Sequence, residues 1–274
     1  MKYQLAELYR GVRRLWNLNI ERFGRIGVSR MAMVARSEKD ISEKNIPELF
    51  DDMADVFESF SGTLDSVERP MNRWMIENLP KGRRALDIGC GAGRYSVMLA
   101  DLYEEVVGAD PAPSMIEIAK RDRSRSNVNY QVRDAFDMTP EKDGLFDVVF
   151  AFSCVFHMAK PNVILPHLAD LVAPGGALVI FDPERPEDWG QENWQVNYAF
   201  KISRMVYDMT GKVEMAINVI RGFTHESWLA LSERSVPFGR EEFRREYSAV
   251  LPGVIFDDNV FPGFLTARWQ RLAD

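Results

Sequence analysis

Two cysteines, Cys90 and Cys154, are too few for a disulfide framework in a chain of 274 residues. Both fall in segments that read as core, which favours a reducing compartment. Long apolar runs are missing as well. The longest strongly apolar stretch, Val148 to Phe156, is far short of the ~20 residues that a membrane-spanning helix needs, so no transmembrane segment is expected. The start of the chain has no apolar h-region ahead of a small-residue cleavage site, which predicts no secretory signal and a cytoplasmic protein. Positive charge is in deficit, with a formal net charge of -7. That balance argues against nucleic acid as a partner, because tracking a phosphate backbone needs a basic surface. Histidine is scarce too: only His157, His167 and His225 occur, which narrows the choice of proton-transfer groups. Disorder is excluded by a composition that is 46% hydrophobic.

The charge that is present is unevenly placed. Residues 1–36 hold eight Lys/Arg against two Glu, a net of +6 in a chain that is negative overall. Within them Leu5, Leu8, Tyr9, Val12, Leu15, Trp16, Ile20 and Phe23 recur at helical spacing, with most arginines off that stripe. Such a helix can be a solvated face, a dock for an anionic partner, or the contact of a homodimer. Further helices are predicted over 46–60 and 70–78, the second leading into the turn Pro80-Lys81-Gly82.

From residue 84 the period changes. Short apolar runs at 85–88, 105–109, 128–133, 146–152 and 177–181 alternate with helical stretches at 94–102, 114–125 and 161–172, and Pro174-Gly175-Gly176 reads as a turn before the last of these strands. Near-continuously apolar strands separated by helices indicate a parallel sheet covered on both faces, and right-handed crossovers make it doubly wound. After Pro183 the alternation stops. Residues 184–235 are too long for an ordinary connection and carry Trp189, Trp194, Tyr198, Tyr207 and Trp228, so they read as an inserted helical cap. The chain closes with a helix over 239–250 and strands at 253–257 and 264–270. The expected organisation is an N-terminal helical extension (1–45), an α/β core (46–183), a cap over the acceptor site (184–235) and completion of the core (236–274). The fold class is a Rossmann-like, mostly parallel seven-stranded sheet with N-terminal helices.

The most informative cluster is a strand ending near Asp87, followed by Gly89-Cys90-Gly91-Ala92-Gly93 and a helix. Glycine there permits a sharp turn and a close approach of ligand to backbone. Twenty-one residues after Gly89, the second strand ends at Asp110, an acid able to accept from both ribose hydroxyls of an adenosine cofactor. A dinucleotide fingerprint would place glycine at the sixth position, which is Arg94 here, so pyrophosphate binding is disfavoured.

In order and spacing, these residues resemble a class I S-adenosylmethionine-dependent methyltransferase of the broad group (methyltransferase type 11) that includes ubiquinone and menaquinone biosynthesis enzymes. The resemblance runs over Leu86–Gly93, Val107–Asp110 with Ser114-Met115, Arg133-Asp134-Ala135, Phe146–Val149, Val155-Phe156-His157 and Leu171–Gly176. Phe50-Asp51-x-x-Ala54-x-x-Phe57 is similar to the usual lead-in, with Phe57 where Tyr is common. It implies S-adenosyl-L-methionine as cofactor and S-adenosyl-L-homocysteine as product. By the same resemblance Gly89, Gly91 and Gly93 shape the loop around the methionine half, with Cys90 between them and Asp87 supporting the amino group. Asp110, followed by Pro111, holds the ribose. Met115 packs on the adenine. Asp134 accepts from the adenine amino group, beside Ala135 and Phe136. Phe152 and Ser153 face the sulfonium, and Phe57 closes the set.

For the chemistry itself, His157 after the fourth strand and His225 in the cap, next to Glu226, are the candidate bases. The strand tail Phe152-Ser153-Cys154-Val155 lacks the Asn/Asp-Pro-Pro-aromatic sequence of base and glutamine methylation. No Pro-Cys nucleophile and no cluster of acids for a catechol-type metal is present, Asp182 being a lone strand-end acid. A small-molecule acceptor, methylated at oxygen, nitrogen or carbon, is the leading expectation. Two alternatives stand beside it: an RNA or protein methyltransferase docking through residues 1–36, and a cofactor-binding protein of the same fold that transfers no methyl.

Overall fold

The computed structural model describes residues 41–66, 70–258, 260, 261 and 263–273. The amphipathic, basic stretch of residues 1–36, and with it the expected dimer contact, lies outside the described residues. Helices α1 (Ile46–Ser66) and α2 (Pro70–Asn78) lead into β1 (Arg84–Ile88), α3 (Arg94–Ala100), β2 (Glu105–Asp110), α4 (Pro113–Asp122) and β3 (Val128–Val132). A short α5 (Pro140–Asp143) precedes β4 (Phe146–Phe152), after which come α6 (Val155–Met158), α7 (Pro161–Asp170) and β5 (Val172–Pro183). Three helices follow, α8 (Trp194–Thr210), α9 (Val213–Phe223) and α10 (Glu226–Arg234), then α11 (Arg240–Val250), β6 (Ile255–Asp257) and β7 (Phe264–Gln270).

The strands form one seven-stranded sheet in the order β3-β2-β1-β4-β5-β7-β6, parallel except for β7, which runs antiparallel to both neighbours. This is the doubly wound topology that the alternating periodicity predicts. Its order reverses between β1 and β4, where Ile88 pairs with Ala151, and the crevice at such a switch point is where ligands of open α/β sheets bind. Leu86, Val149, Leu178 and Ile180 are buried with residues of α7 and α11 on one face. Ala85, Val148, Phe150 and Phe181 pack with α2 and α3 on the other. Burial on both faces explains why β4 reads as a continuous apolar run.

One expectation is corrected. Pro174-Gly175-Gly176 is not a turn ahead of the strand but part of β5, which begins at Val172 opposite Phe146 and then shifts register before Ala177 pairs with Val148. The bulge sits at glycines for a steric reason. Gly175 has φ +78°, and a Cβ on Gly176 would lie 2.7 Å from the Asp147 carbonyl oxygen.

Helix α1 binds the core at two places. Asp51 Oδ1 accepts from the Ser114 backbone N–H (2.8 Å), capping α4, whose own N-cap residue Ala112 has no side-chain acceptor. Glu58 is held by Arg94 (3.5 Å) and by Arg123, and Arg123 also donates to the Ala92 carbonyl (3.0 Å). The other flank of α1 meets the inserted helices. Phe60 stacks edge-on against Phe223 (4.7 Å), and a Cβ on Gly222 would come within 3.0 Å of Phe60 Cβ, so α1 and α9 approach closely. Within residues 184–235, the helices that start at Trp194 share a small apolar core with α1 through Ala199, Val206, Val219 and Phe223.

Candidate active site

Strand ends set the site. Asp87, near the end of β1, is almost fully buried and accepts a short hydrogen bond from Ser96 Oγ (2.6 Å). Burial, opposed by that hydrogen bond and reinforced by nearby Asp110, raises its carboxyl to about 7. Beyond it the chain turns through Gly89, Gly91 and Gly93, all with positive φ (64°, 52° and 80°). Their surroundings differ. A Cβ on Gly89 would strike Cys154 Cβ at 2.6 Å, and one on Gly93 would collide with the Tyr130 ring. One on Gly91 meets nothing within 4 Å, so here the missing side chain leaves open approach to the backbone.

Asp110, at the end of β2, is fixed by two amides. Gly91 N–H donates to Oδ2 (2.9 Å) and Ala112 N–H to Oδ1 (2.9 Å). Each oxygen keeps a second acceptor position, so the carboxylate is oriented yet able to take a pair of hydroxyls. Burial, partly offset by those two amides, raises it to about 6. Asp134 follows β3 and caps a single turn over Ala135–Asp137, accepting from the Phe136 N–H (2.9 Å) with one oxygen. His167, to which the sequence assigns no role, braces the same turn from α7 through a ring nitrogen 2.8 Å from the Ala135 carbonyl. Met115 is buried against Ala54, Ala92, Phe50 and Phe57.

Phe152, the last residue of β4, lies in an aromatic shelf with Tyr95 (4.3 Å), Phe264 (4.7 Å, near-parallel) and Phe261 (5.5 Å). Ser153 then adopts φ +56°, a left-handed conformation that is uncommon for a residue with a side chain and is held by its N–H donating to Phe181 O (2.6 Å). His157 stands edge-on to Phe50 (5.6 Å) and against Phe156 (3.7 Å), and its Nδ1 is buried with no hydrogen-bond partner among the described residues. Burial alone lowers the imidazole to about 3, so it is neutral at physiological pH.

These groups line one cavity of about 2080 Å³. It gathers Asp87, Gly89, Cys90, Gly91, Asp110, Pro111, Met115, Asp134, Ala135, Phe136, Phe152, Ser153, His157 and Phe57, all read as site residues from the sequence. Single ligand sites usually occupy ~300–1,000 Å³, so the volume suits two ligands side by side. Gly93 is not in the lining; it begins α3 and fits beneath Tyr130. His225 is the second residue outside the lining. It does not reach the cavity but caps α10, with Ser227 N–H donating to its Nδ1 (3.3 Å). Its place just before Glu226 is that of a helix cap, which needs a side-chain acceptor there.

The sequence reading assigned the tryptophans and Tyr198 to the cap and missed the other aromatics of the lining. Tyr95, Phe261 and Phe264 complete the shelf, and Trp189, Trp194, Tyr198, Phe223 and Trp228 come from the insert and its approach. Trp189 and Trp194 stack at 3.8 Å. The tryptophans were visible in the sequence; the meeting of Phe261 and Phe264 with Phe152 depends on the return of β7 and had no local signal.

Comparison with known proteins bears on this geometry. Residues 86–180 match the family profile described as "Methyltransferase domain". The chain is 35% identical over 103 residues to a ubiquinone biosynthesis O-methyltransferase of Xanthomonas axonopodis pv. citri (strain 306), covering 37% of this chain and 43% of that protein. The corresponding protein of Xanthomonas oryzae pv. oryzae (strain PXO99A) is 35% identical over 101 residues, covering 36% and 42%. The chain thus spans under half the length of the curated relatives it matches. Among solved structures, a DhpI–SAH complex superposes with a TM-score of 0.55 at 20% identity, over 83% of this chain and 95% of that one. The plantazolicin methyltransferase BpumL, with a monoazolic desmethylPZN analog and SAH, gives 0.51 at 14%, over 88% and 100%. At those identities the likeness is one of fold. The likeness to a methyltransferase domain is thus carried by residues 86–180.

Proposed function

We propose that the protein moves a methyl group from S-adenosylmethionine to a small-molecule acceptor held beneath residues 184–235. One observation carries the reading: the Asp110 carboxylate, pinned by the Gly91 and Ala112 amides, lies beside a glycine whose backbone is open to approach. That arrangement fits an adenosine ribose lying along the Gly89–Gly93 loop, with Asp87 near a cationic ammonium and Met115 and Phe136 about the adenine. Asp134 keeps one carboxylate oxygen for the adenine amino group. When bound, the cofactor supplies a methyl group activated by its sulfonium.

The chain's own residues then orient and exclude water. Tyr95, Phe152, Phe261 and Phe264 make a dry wall at the end of β4, where in-line approach requires positioning more than acid–base help. His157 is neutral, and its burial resists charging, so it is a poor proton acceptor and serves as a polar wall of the pocket. An acceptor that is already nucleophilic near neutral pH suits this site. Residues 37–274 are strongly acidic, which supports a small molecule over nucleic acid. Two free thiols support a cytoplasmic setting. Among the described residues no helix is long and apolar enough to cross a membrane.

Calorimetric titration with S-adenosylhomocysteine tests the cofactor half, and co-crystallisation with that compound plus fractionated metabolites tests the acceptor half. Saturable binding and density beneath α8–α10 are expected. No binding by the intact chain overturns the reading.

A further inference from the structure

Asp182 is a buried acid, yet it lies outside the cavity lining. It is the penultimate residue of β5, paired with Leu265 across to β7, and so faces the side of the sheet that carries Val155 and Tyr247. The hydroxyl of Tyr247, a fully buried residue of α11, donates to Asp182 Oδ2 (3.0 Å). Oδ1 is equally buried and makes no well-formed hydrogen bond, while the amides of Cys154, Val155 and Phe156 face the carboxylate. Those amides open α6, the four-residue helix that carries His157. The preceding residue, Ser153, hangs from the carbonyl of Phe181, the neighbour of Asp182, in its left-handed conformation. Phe181 thus holds Ser153 by a hydrogen bond and Asp182 stands behind the residues that follow, in a segment that presents Ser153, Phe156 and His157 to the cavity.

We propose that Asp182 and Tyr247 are a positioning pair that fixes where Ser153 and His157 stand, and through them the alignment of acceptor and methyl donor. This rests on the methyltransferase reading. The pair acts through geometry: a buried acid stands before the amides that open a short helix with no side-chain cap of its own, since Cys154 supplies none. Tyr247 occupies the other oxygen and so aims the carboxylate.

Histidine imidazole NMR on the full chain separates the outcomes, because the three histidines give three readouts. In Asp182→Asn the His157 signal is expected to shift and its midpoint to climb from about 3 toward the ordinary 6.5, as the ring loosens toward water. Tyr247→Phe, which removes one hydroxyl and keeps the ring, gives a smaller change in the same direction. His167, held by Ala135 from a separate element, reports that the fold is intact and stays put. Affinity for S-adenosylhomocysteine stays within about threefold, since neither residue touches the cofactor end. An unmoved His157 signal in both variants overturns the proposal. Failure of the wild-type chain to bind S-adenosylhomocysteine overturns the function beneath it instead, and the NMR arm still decides the positioning.

Discussion

The two ends of the cavity are built on different principles. At the β1–β2 end, main-chain atoms do the work: three glycines with positive φ, two amides on Asp110, and a buried Asp87 tied to Ser96. At the end beneath the insert, rings do it: Trp189 on Trp194, Tyr198 and Trp228 on Phe223. Backbone geometry admits few substitutes, because a single added atom collides or blocks. Ring packing admits many, since apolar residues of similar volume exchange at modest cost. The first end is thus suited to one invariant ligand and the second to a ligand that differs between related proteins.

That contrast can be broken experimentally. The largest effect is expected from Asp110→Ala. Hydrogen bonds to a charged group contribute about 1.5–3 kcal/mol each, so losing two should weaken S-adenosylhomocysteine binding by ~100-fold or more in calorimetry. A loss under tenfold would mean that the ribose is held elsewhere. Next comes Gly91→Ala, whose methyl meets no protein atom within 4 Å but projects into the approach to the loop. Binding should fall by ~10-fold or more, while stability drops only by the ~1–2 kcal/mol of a left-handed alanine. Gly89→Ala should show the opposite balance, with its main cost in thermal unfolding, because Cys154 is in the way.

Acidity gives a third and smaller test. Burial holds Asp87 at about 7 and Asp110 at about 6, against 3.8 for a free aspartate. Both then carry protons in the folded state at pH 5, where the unfolded chain has lost them. Their contribution to folding stability is full below about 4 and declines as pH rises to about 7, after which it is flat. A ligand that requires the Asp110 carboxylate binds better as it ionises, so affinity for S-adenosylhomocysteine should rise by ~10-fold between pH 5 and 8 through that group alone. A flat profile would remove that acid from the cofactor end. The smallest change at that end is expected from Trp194→Ala. Cofactor affinity should stay within ~3-fold, with a stability loss of ~1–2 kcal/mol from the broken ring pair. A large change would show that the two ends are not separable.

The same contrast explains what could be read from the sequence. Strand periodicity and glycine spacing are local signals, and from them the seven strands, the Gly89–Gly93 loop and Asp110 follow, while the remaining cofactor-end residues come only from the family resemblance. Asp134 is one of these, and the structure adds that it caps the turn that follows it. For His225 beside Glu226, the structure adds that the residue caps a helix start, a place the sequence spacing alone did not reveal. The shelf around Phe152 was illegible, since Phe261 and Phe264 are brought there only by an antiparallel strand over a hundred residues away. Arg94 illustrates both sides. Its presence in place of a glycine disfavoured a dinucleotide, but nothing local indicated that it would grip Glu58 and Ser61 on α1.

Helix α1 is the wall that both ends share. Phe50 and Phe57 stand with Met115 and His157 on one flank, and Phe60 stands with Phe223 on the other. A displacement of this helix by one ligand therefore alters the space offered to the second. Linkage makes such an influence mutual: whatever factor the first ligand exerts on the affinity for the second is returned in full. An acceptor should accordingly be selected with the donor already seated, and an empty donor site is a poor setting in which to screen for acceptors.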